Sequence, residues 1–284
     1  MSLSIVETGA ALGAEIRGVD LSGPIDDATF DQIRRAFERY AVIIFRDHPF
    51  DDADHIRFSA RFGALKKLKL EQFLAGRHPE IFVVSNIKED GKYIGVHDAG
   101  MFWHSDGPFL NKPHGPSALH ALEVPVQDGR ALGDTCFAST AAAYDALPAA
   151  MKARIDGLQA VNSLLRRHQL AASKGVADTA VLSQVAAQES EAVHPVVRVD
   201  RRSGRKCLYV SEGYTTRILG LPQDESDALV AELAAHCVKP EFQYRHSWRV
   251  HDLVMWDNCS TQHKAKFDYQ LPQRRLMHRT TLVE

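Results

Sequence analysis

The stretch HDLVMWDNCSTQHKAKFDYQLPQRRLMHRTTLVE, residues 251–284, holds two β-prone runs separated by a polar, turn-rich loop. DLVMWDN reads as a strand ending in a turn, with His263 just past it. RRLMHRTT reads as a second strand, and strand alternation puts Arg275 and Arg279 on one face with Met277 between them. A pair of arginines on a strand is often a solvated edge. Here the strand is otherwise apolar and β-prone, which favours an inward-facing pair that can grip a carboxylate through parallel N–H donors.

Upstream, the same texture recurs. EIFVVSN, SALHALEVP, DTCFAS, HPVVRVD, KCLYVS and EFQYRHSW are short β-prone runs with turn residues between them. Helical patterns interrupt or precede them. IDDATFDQIRRAFERYA places Phe30, Ile33 and Phe37 at helical spacing behind the cap candidates Asp26 and Asp27, and it runs directly into the core strand VIIFRD. DADHIRFSARFG buries Phe58 and Phe62 and stops at Gly63. STAAAYDALPAAMKARIDGL and QDESDALVAELAAHC read as two further helices. Many short strands with helices around them predict a mainly β protein, a jelly-roll-like double sheet with flanking helices. Residues 162–192 have no steady period, and a long segment of that kind is either an active-site lid or a surface insertion. No repeat or linker divides the chain, so a single domain over 1–284 is expected.

The chemistry concentrates in MFWHSDGPF, residues 101–109. On a strand, His104 and Asp106 would point to the same face and converge beside the bulky pair Phe102–Trp103. A lone His-x-Asp is more often a buried histidine bonded to a neighbouring carboxylate than a metal site. His263 changes the balance, because two histidines and a carboxylate form the facial triad of non-haem Fe(II) oxygenases, with coordination positions left open. A structural zinc site would close with four ligands, and no fourth candidate stands at sensible spacing.

Composition sets the bounds. With 34 basic and 36 acidic residues the net charge is −2, which gives no sign of a nucleic-acid or membrane partner. The start of the sequence lacks a basic-then-apolar leader pattern, and no apolar run reaches the ~18 residues of a membrane span. Four widely spaced cysteines without a CxxC pair fit free thiols, and a cytoplasmic location is expected.

Taken in order, AVIIFRD, WHSD, GDTCFASTAAAYDALP, SGRKCLYVS, ILGLPQDES and the DLVMWDN…HRTT tail resemble the taurine dioxygenase and 2,4-dichlorophenoxyacetate dioxygenase family along nearly the whole chain. The resemblance implies a double-stranded β-helix core and an enzyme that uses Fe(II), 2-oxoglutarate and O2, forming succinate and CO2 as it hydroxylates, and in some cases thereby cleaves, a small anionic organic substrate. It implies iron ligands His104, Asp106 and His263. Thr135 and Arg275 would bind the distal carboxylate of 2-oxoglutarate, and Arg279 would lie close to both cosubstrate and substrate. A homo-oligomer, dimer or tetramer, is also implied.

Departures from the family pattern bear on the substrate. Where taurine-type members have a histidine after the FG turn, this chain has Leu68, flanked by Lys66, Lys67 and Lys69. Where they have an asparagine four residues before the first iron histidine, it has Gly100. The three lysines are either cations for a substrate carboxylate or a solvated charge run. Phe102, Trp103 and Phe109 are candidates for an apolar pocket wall. Two other readings stay open at this point: a zinc-dependent hydrolase using the same three ligands, and a non-catalytic acid-binding protein on the same fold. Both leave part of the constellation without a role.

Overall fold

The computed structural model describes residues 3–67, 74–75, 78–173 and 191–284. Its main sheet has eight strands, in spatial order Ser4–Glu7, Ala14–Arg17, Val42–Phe45, Leu253–Trp256, His114–Glu123, Leu276–Val283, His78–Ser85 and Leu74–Ala75. Every neighbouring pair is antiparallel except Ala14–Arg17 with Val42–Phe45. A three-stranded sheet of Gln243–His246, Thr135–Ser139 and Thr261–Ala265 packs against one face.

Period-two alternation decides what lies between the layers. Val42, Ile44, Val254, Trp256 and Met277 point inward to a cluster that includes Phe137 of the smaller sheet. The Phe137 and Trp256 rings meet at 5.7 Å. The intervening residues Ile43, Phe45 and Met255 point outward onto Ile33, Phe37 and Phe58 of the helices Asp27–Tyr40 and Asp52–Ala60. The first of these helices starts at the Asp26 carboxylate, which accepts from the Thr29 N–H at 2.9 Å, and stops at Ala41 in the left-handed region. The result is the expected mainly β jelly-roll with flanking helices, and neither sheet closes on itself.

A further layer covers the far side. Strands Glu191–Pro195, Gln159–Ser163 and Thr215–Ile218 form a sheet, and helices Thr140–Asp145, Ala149–Ile155 and Gln223–Cys237 share an apolar cluster with it. The sequence predicts one helix across residues 139–158; the structure has two. Pro148 explains the break, since it cannot continue the preceding turn and starts the next helix instead. The aperiodic stretch 162–192 also resolves in part. Asn162 and Ser163 finish a strand, Leu164–Ser173 is a helix, and Glu191 opens the next strand, while 174–190 lie outside the described residues.

Candidate active site

His104 and His263 are brought together by their backbones. They face each other as an isolated antiparallel bridge, with the His104 N–H donating to the His263 carbonyl at 3.1 Å and the reverse bond at 2.8 Å. Their rings lie 4.2 Å apart. Asp106 Oδ1 is 3.7 Å from His104 Nε2 and 4.0 Å from His263 Nε2. Among the described residues, no other group of three His, Cys, Asp or Glu side chains comes close enough together to hold a metal ion. One step of the sequence reasoning needs correction. Residues 101–109 are not a strand; a single bridge at His104 is followed by a bend at Asp106 and a turn that starts at Gly107, φ 68°.

The surroundings set the protonation states. The His104 Nδ1–H donates to the Phe102 carbonyl at 2.7 Å, which leaves the Nε2 lone pair for the cluster. Burial lowers the pKa of both histidines, so they are neutral near pH 7. Burial alone would push the Asp106 carboxyl up. The Arg279 guanidinium, with His263 and His104, overrides it and holds Asp106 well below the usual carboxylate range. Two neutral imidazoles and an ionised carboxylate are the donor set that a divalent cation needs.

Asp106 is held on several sides. Arg279 Nη1 donates to its two oxygens at 3.1 and 3.2 Å, and Ser117 Oγ donates to Oδ2 at 2.9 Å. Its own N–H donates to Asn258 Oδ1 at 3.0 Å. Asn258 is fixed in turn by the Trp256 indole N–H at 3.0 Å and by its own donation to the Gly115 carbonyl at 2.7 Å.

The cluster opens into a cavity of about 730 Å³, and Thr135, Arg275 and Arg279 line the same space. Thr135 Oγ1 accepts from the Trp248 indole N–H at 3.0 Å, so its hydroxyl hydrogen is left to donate elsewhere. Arg275 is only 4 % exposed. Its backbone is pinned between Asn86 Oδ1, which accepts its N–H at 2.8 Å, and Ser85 Oγ, which donates to its carbonyl at 2.9 Å. Its guanidinium has Tyr269 beside it but no carboxylate among the described residues, and its Nε has no hydrogen-bond partner there. Burial therefore weighs against this charge, and among the described residues only Tyr269 offsets it in part.

The remaining sequence-predicted residues separate. Phe109 lines the cavity, its ring 5.4 Å from that of Tyr214. Phe102 does not line it: it is buried behind the bridge, and Trp103 faces a separate groove beside the helix Gln223–Cys237. Gly100 lines the cavity at φ 87°, and a Cβ there would come within 3.1 Å of Ala265 Cβ. Lys66 Nζ lies 2.7 Å from His114 Nε2, and His114 lines the cavity. Lys67 is largely exposed and pairs with Glu80 at 3.5 Å, as a solvated charge would. Lys69 and Leu68 lie outside the described residues. Sequence reasoning missed Trp248 and Asn258, which act through long-range side-chain bonds that leave no periodic trace.

A family model, Taurine catabolism dioxygenase TauD, TfdA family, matches residues 4–281. The chain belongs to the TauD/TfdA family. A pentalenolactone F synthase from Streptomyces arenae is 32% identical over 282 residues, 97% of this chain and 93% of the relative. An alpha-ketoglutarate-dependent 2,4-dichlorophenoxyacetate dioxygenase from Cupriavidus pinatubonensis is 32% identical, covering 95% of this chain and 94% of its own. The crystal structure of a taurine dioxygenase from Burkholderia xenovorans superposes with a TM-score of 0.81 at 30% identity, over 100% of this chain and 91% of that one. Family membership makes the chain an Fe(II)- and 2-oxoglutarate-dependent dioxygenase, and the resemblance read from the sequence stands with its iron, 2-oxoglutarate and O2. Among the described residues, no helix is long and apolar enough to cross a membrane.

Proposed function

We propose that this single-domain chain hydroxylates a small anionic organic substrate, with succinate and CO2 as coproducts. In this reading His104, Asp106 and His263 hold the iron, which when bound supplies the oxygen-activating chemistry. Arg275 and the Thr135 hydroxyl bind the distal carboxylate of 2-oxoglutarate. Arg279 keeps Asp106 ionised and borders both the cosubstrate and the substrate. The apolar side chains around the cavity, Phe109 and Leu119 among them, exclude water from the reacting centre.

The observation that carries the reading is the Arg275 guanidinium, buried without a carboxylate partner in the cavity that also holds the three ligand side chains. A buried, unbalanced cation is costly unless an anion joins it. A hydrolase using only the His104–Asp106–His263 cluster would leave that cost without a function. The substrate scope follows the relatives' printed names, one of which acts on a phenoxyacetate. A cytoplasmic homo-oligomer, dimer or tetramer, completes the proposal.

Anaerobic titration with Fe(II) and 2-oxoglutarate tests it. A visible charge-transfer band that saturates at one equivalent is the expected result. Fe(II) binding without a band would remove the roles given to Arg275 and Thr135.

A further inference from the structure

Besides Arg275 and the exposed Lys88 and Lys92, which also line the cavity, four cationic side chains bear on substrate recognition. Arg279 is tied to Asp106, Lys66 lies against His114, and Lys67 pairs with Glu80 on the surface. The fourth, Arg167, stands on the helix Leu164–Ser173 and lines the cavity. Only its Nη2 is committed: it donates to Asp98 Oδ2 at 2.9 Å and to the Asp98 carbonyl at 3.2 Å. Nη1 and Nε make no hydrogen bond to another described residue. The pair is well shielded, with side chains 11 and 9 % exposed, so Asp98 fixes the guanidinium plane and leaves one edge of the fork open.

Tyr214 stands next to it. The Gly213 N–H donates to the Trp103 carbonyl at 3.2 Å, which seats Tyr214 against the metal-binding loop, its ring 5.9 Å from that of His104. The hydroxyl makes no hydrogen bond to another described residue. Burial pushes its pKa up to about 12, the Arg167 charge pulling the other way, so it remains a donor at neutral pH. The Arg167 charge also bears on the His104 ring. Phe109 and Leu164 supply apolar surface beside the two donors.

We infer that Arg167 and Tyr214 form the anion-recognising end of the substrate site, taking the carboxylate or sulfo group of a substrate whose apolar body lies along Phe109 and Leu164. This rests on the function proposed above. The free edge of Arg167 suits two oxygens of one anion, and Tyr214 adds a third donor. Asp98 is a positioning residue: it orients Arg167 without touching substrate. Lysines 66 and 67 are not part of this recognition.

The test uses the whole protein loaded anaerobically with Fe(II) and 2-oxoglutarate, and follows the change in its visible band as probes are added. The probes are phenoxyacetate, phenylmethanesulfonate and hexyl sulfate, each beside an uncharged analogue of the same body. The anions should bind at least about tenfold tighter than their neutral analogues, and Arg167→Gln should weaken the anions about thirtyfold while leaving the neutral probes and 2-oxoglutarate unchanged. Arg167→Lys should recover part of the loss, and Tyr214→Phe, which removes one oxygen, should cost about five- to tenfold. Anions that bind wild type no better than neutral analogues overturn the inference. So does an Arg167→Gln protein, intact by its melting curve, that keeps anion affinity within about threefold of wild type. Absence of the band before any probe is added refutes the 2-oxoglutarate reading itself, and this inference falls with it.

Discussion

Replacing Arg275 with glutamine separates binding from stability at one position. The guanidinium is buried, lacks a carboxylate partner among the described residues and has an unbonded Nε. Removing one member of a buried, hydrogen-bonded charge pair costs about 2–5 kcal/mol, and glutamine keeps one donor, so about 3 kcal/mol is a reasonable loss for the 2-oxoglutarate complex. That corresponds to about a hundredfold weaker binding. The unliganded protein should behave in the opposite sense, because the substitution deletes a desolvated charge that no carboxylate among the described residues offsets; it should melt no lower than wild type. Melting curves recorded anaerobically with Fe(II), with and without 2-oxoglutarate, read both effects together. At a concentration one hundred times the wild-type dissociation constant, ligand stabilisation should fall from about 2.7 kcal/mol to about 0.4 kcal/mol. A variant that melts several degrees lower without ligand, yet binds 2-oxoglutarate within about threefold of wild type, would refute the reasoning and make Arg275 a structural residue.

Other substitutions probe the supports. Asn258→Ala removes the bridge between the Asp106 N–H, the Gly115 carbonyl and the Trp256 indole, and Fe(II) affinity measured against a competing chelator should drop about ten- to a hundredfold. Gly100→Asn forces a side chain into a left-handed position against Ala265, and urea denaturation should show about 1–2 kcal/mol lost. Acid should weaken the fold through two histidines buried between the main sheet and the helix Asp52–Ala60. Burial holds His55 at about 3 and His120 at about 4, against about 6.5 in the unfolded chain. Their contribution is complete above pH ~6.5 and is lost as pH falls toward those folded values, because the unfolded chain then binds the extra protons. His55→Gln should flatten the decline in urea stability between pH 7 and 4.5, and an unchanged slope would exonerate His55.

The legible parts of this molecule are those written as periodic patterns. Phe30, Ile33 and Phe37 gave the first helix, and the alternation of residues 275, 277 and 279 gave the inward face on which both arginines stand. The candidate metal cluster was legible because two histidines and a carboxylate with one shared chemistry occurred in the same sequence. The manner of its assembly was not. Residues 101–109 look like a strand by composition, yet a single backbone bridge and a bend do the work, and the bridge depends on pairing with His263 far along the chain. Arg167, Tyr214 and Asn258 were likewise invisible: each is an ordinary polar residue until the fold supplies its neighbours. The pocket wall was half legible for a similar reason, since Phe102, Trp103 and Phe109 are equivalent in sequence and only the fold decides that Phe109 faces the cavity and Trp103 a separate groove.

The strand Leu276–Val283 sits in the interior of the eight-stranded sheet, between His114–Glu123 and His78–Ser85, although it follows every other described strand in the sequence. During synthesis at the ribosome the two flanking strands therefore wait, edges exposed, for the last one to emerge. That same strand carries Arg279, the counterion of Asp106, and the residue just before it is Arg275. A nascent chain thus lacks both arginines until its sheet can close, and the charge that keeps Asp106 ionised arrives with the strand that joins the two waiting edges.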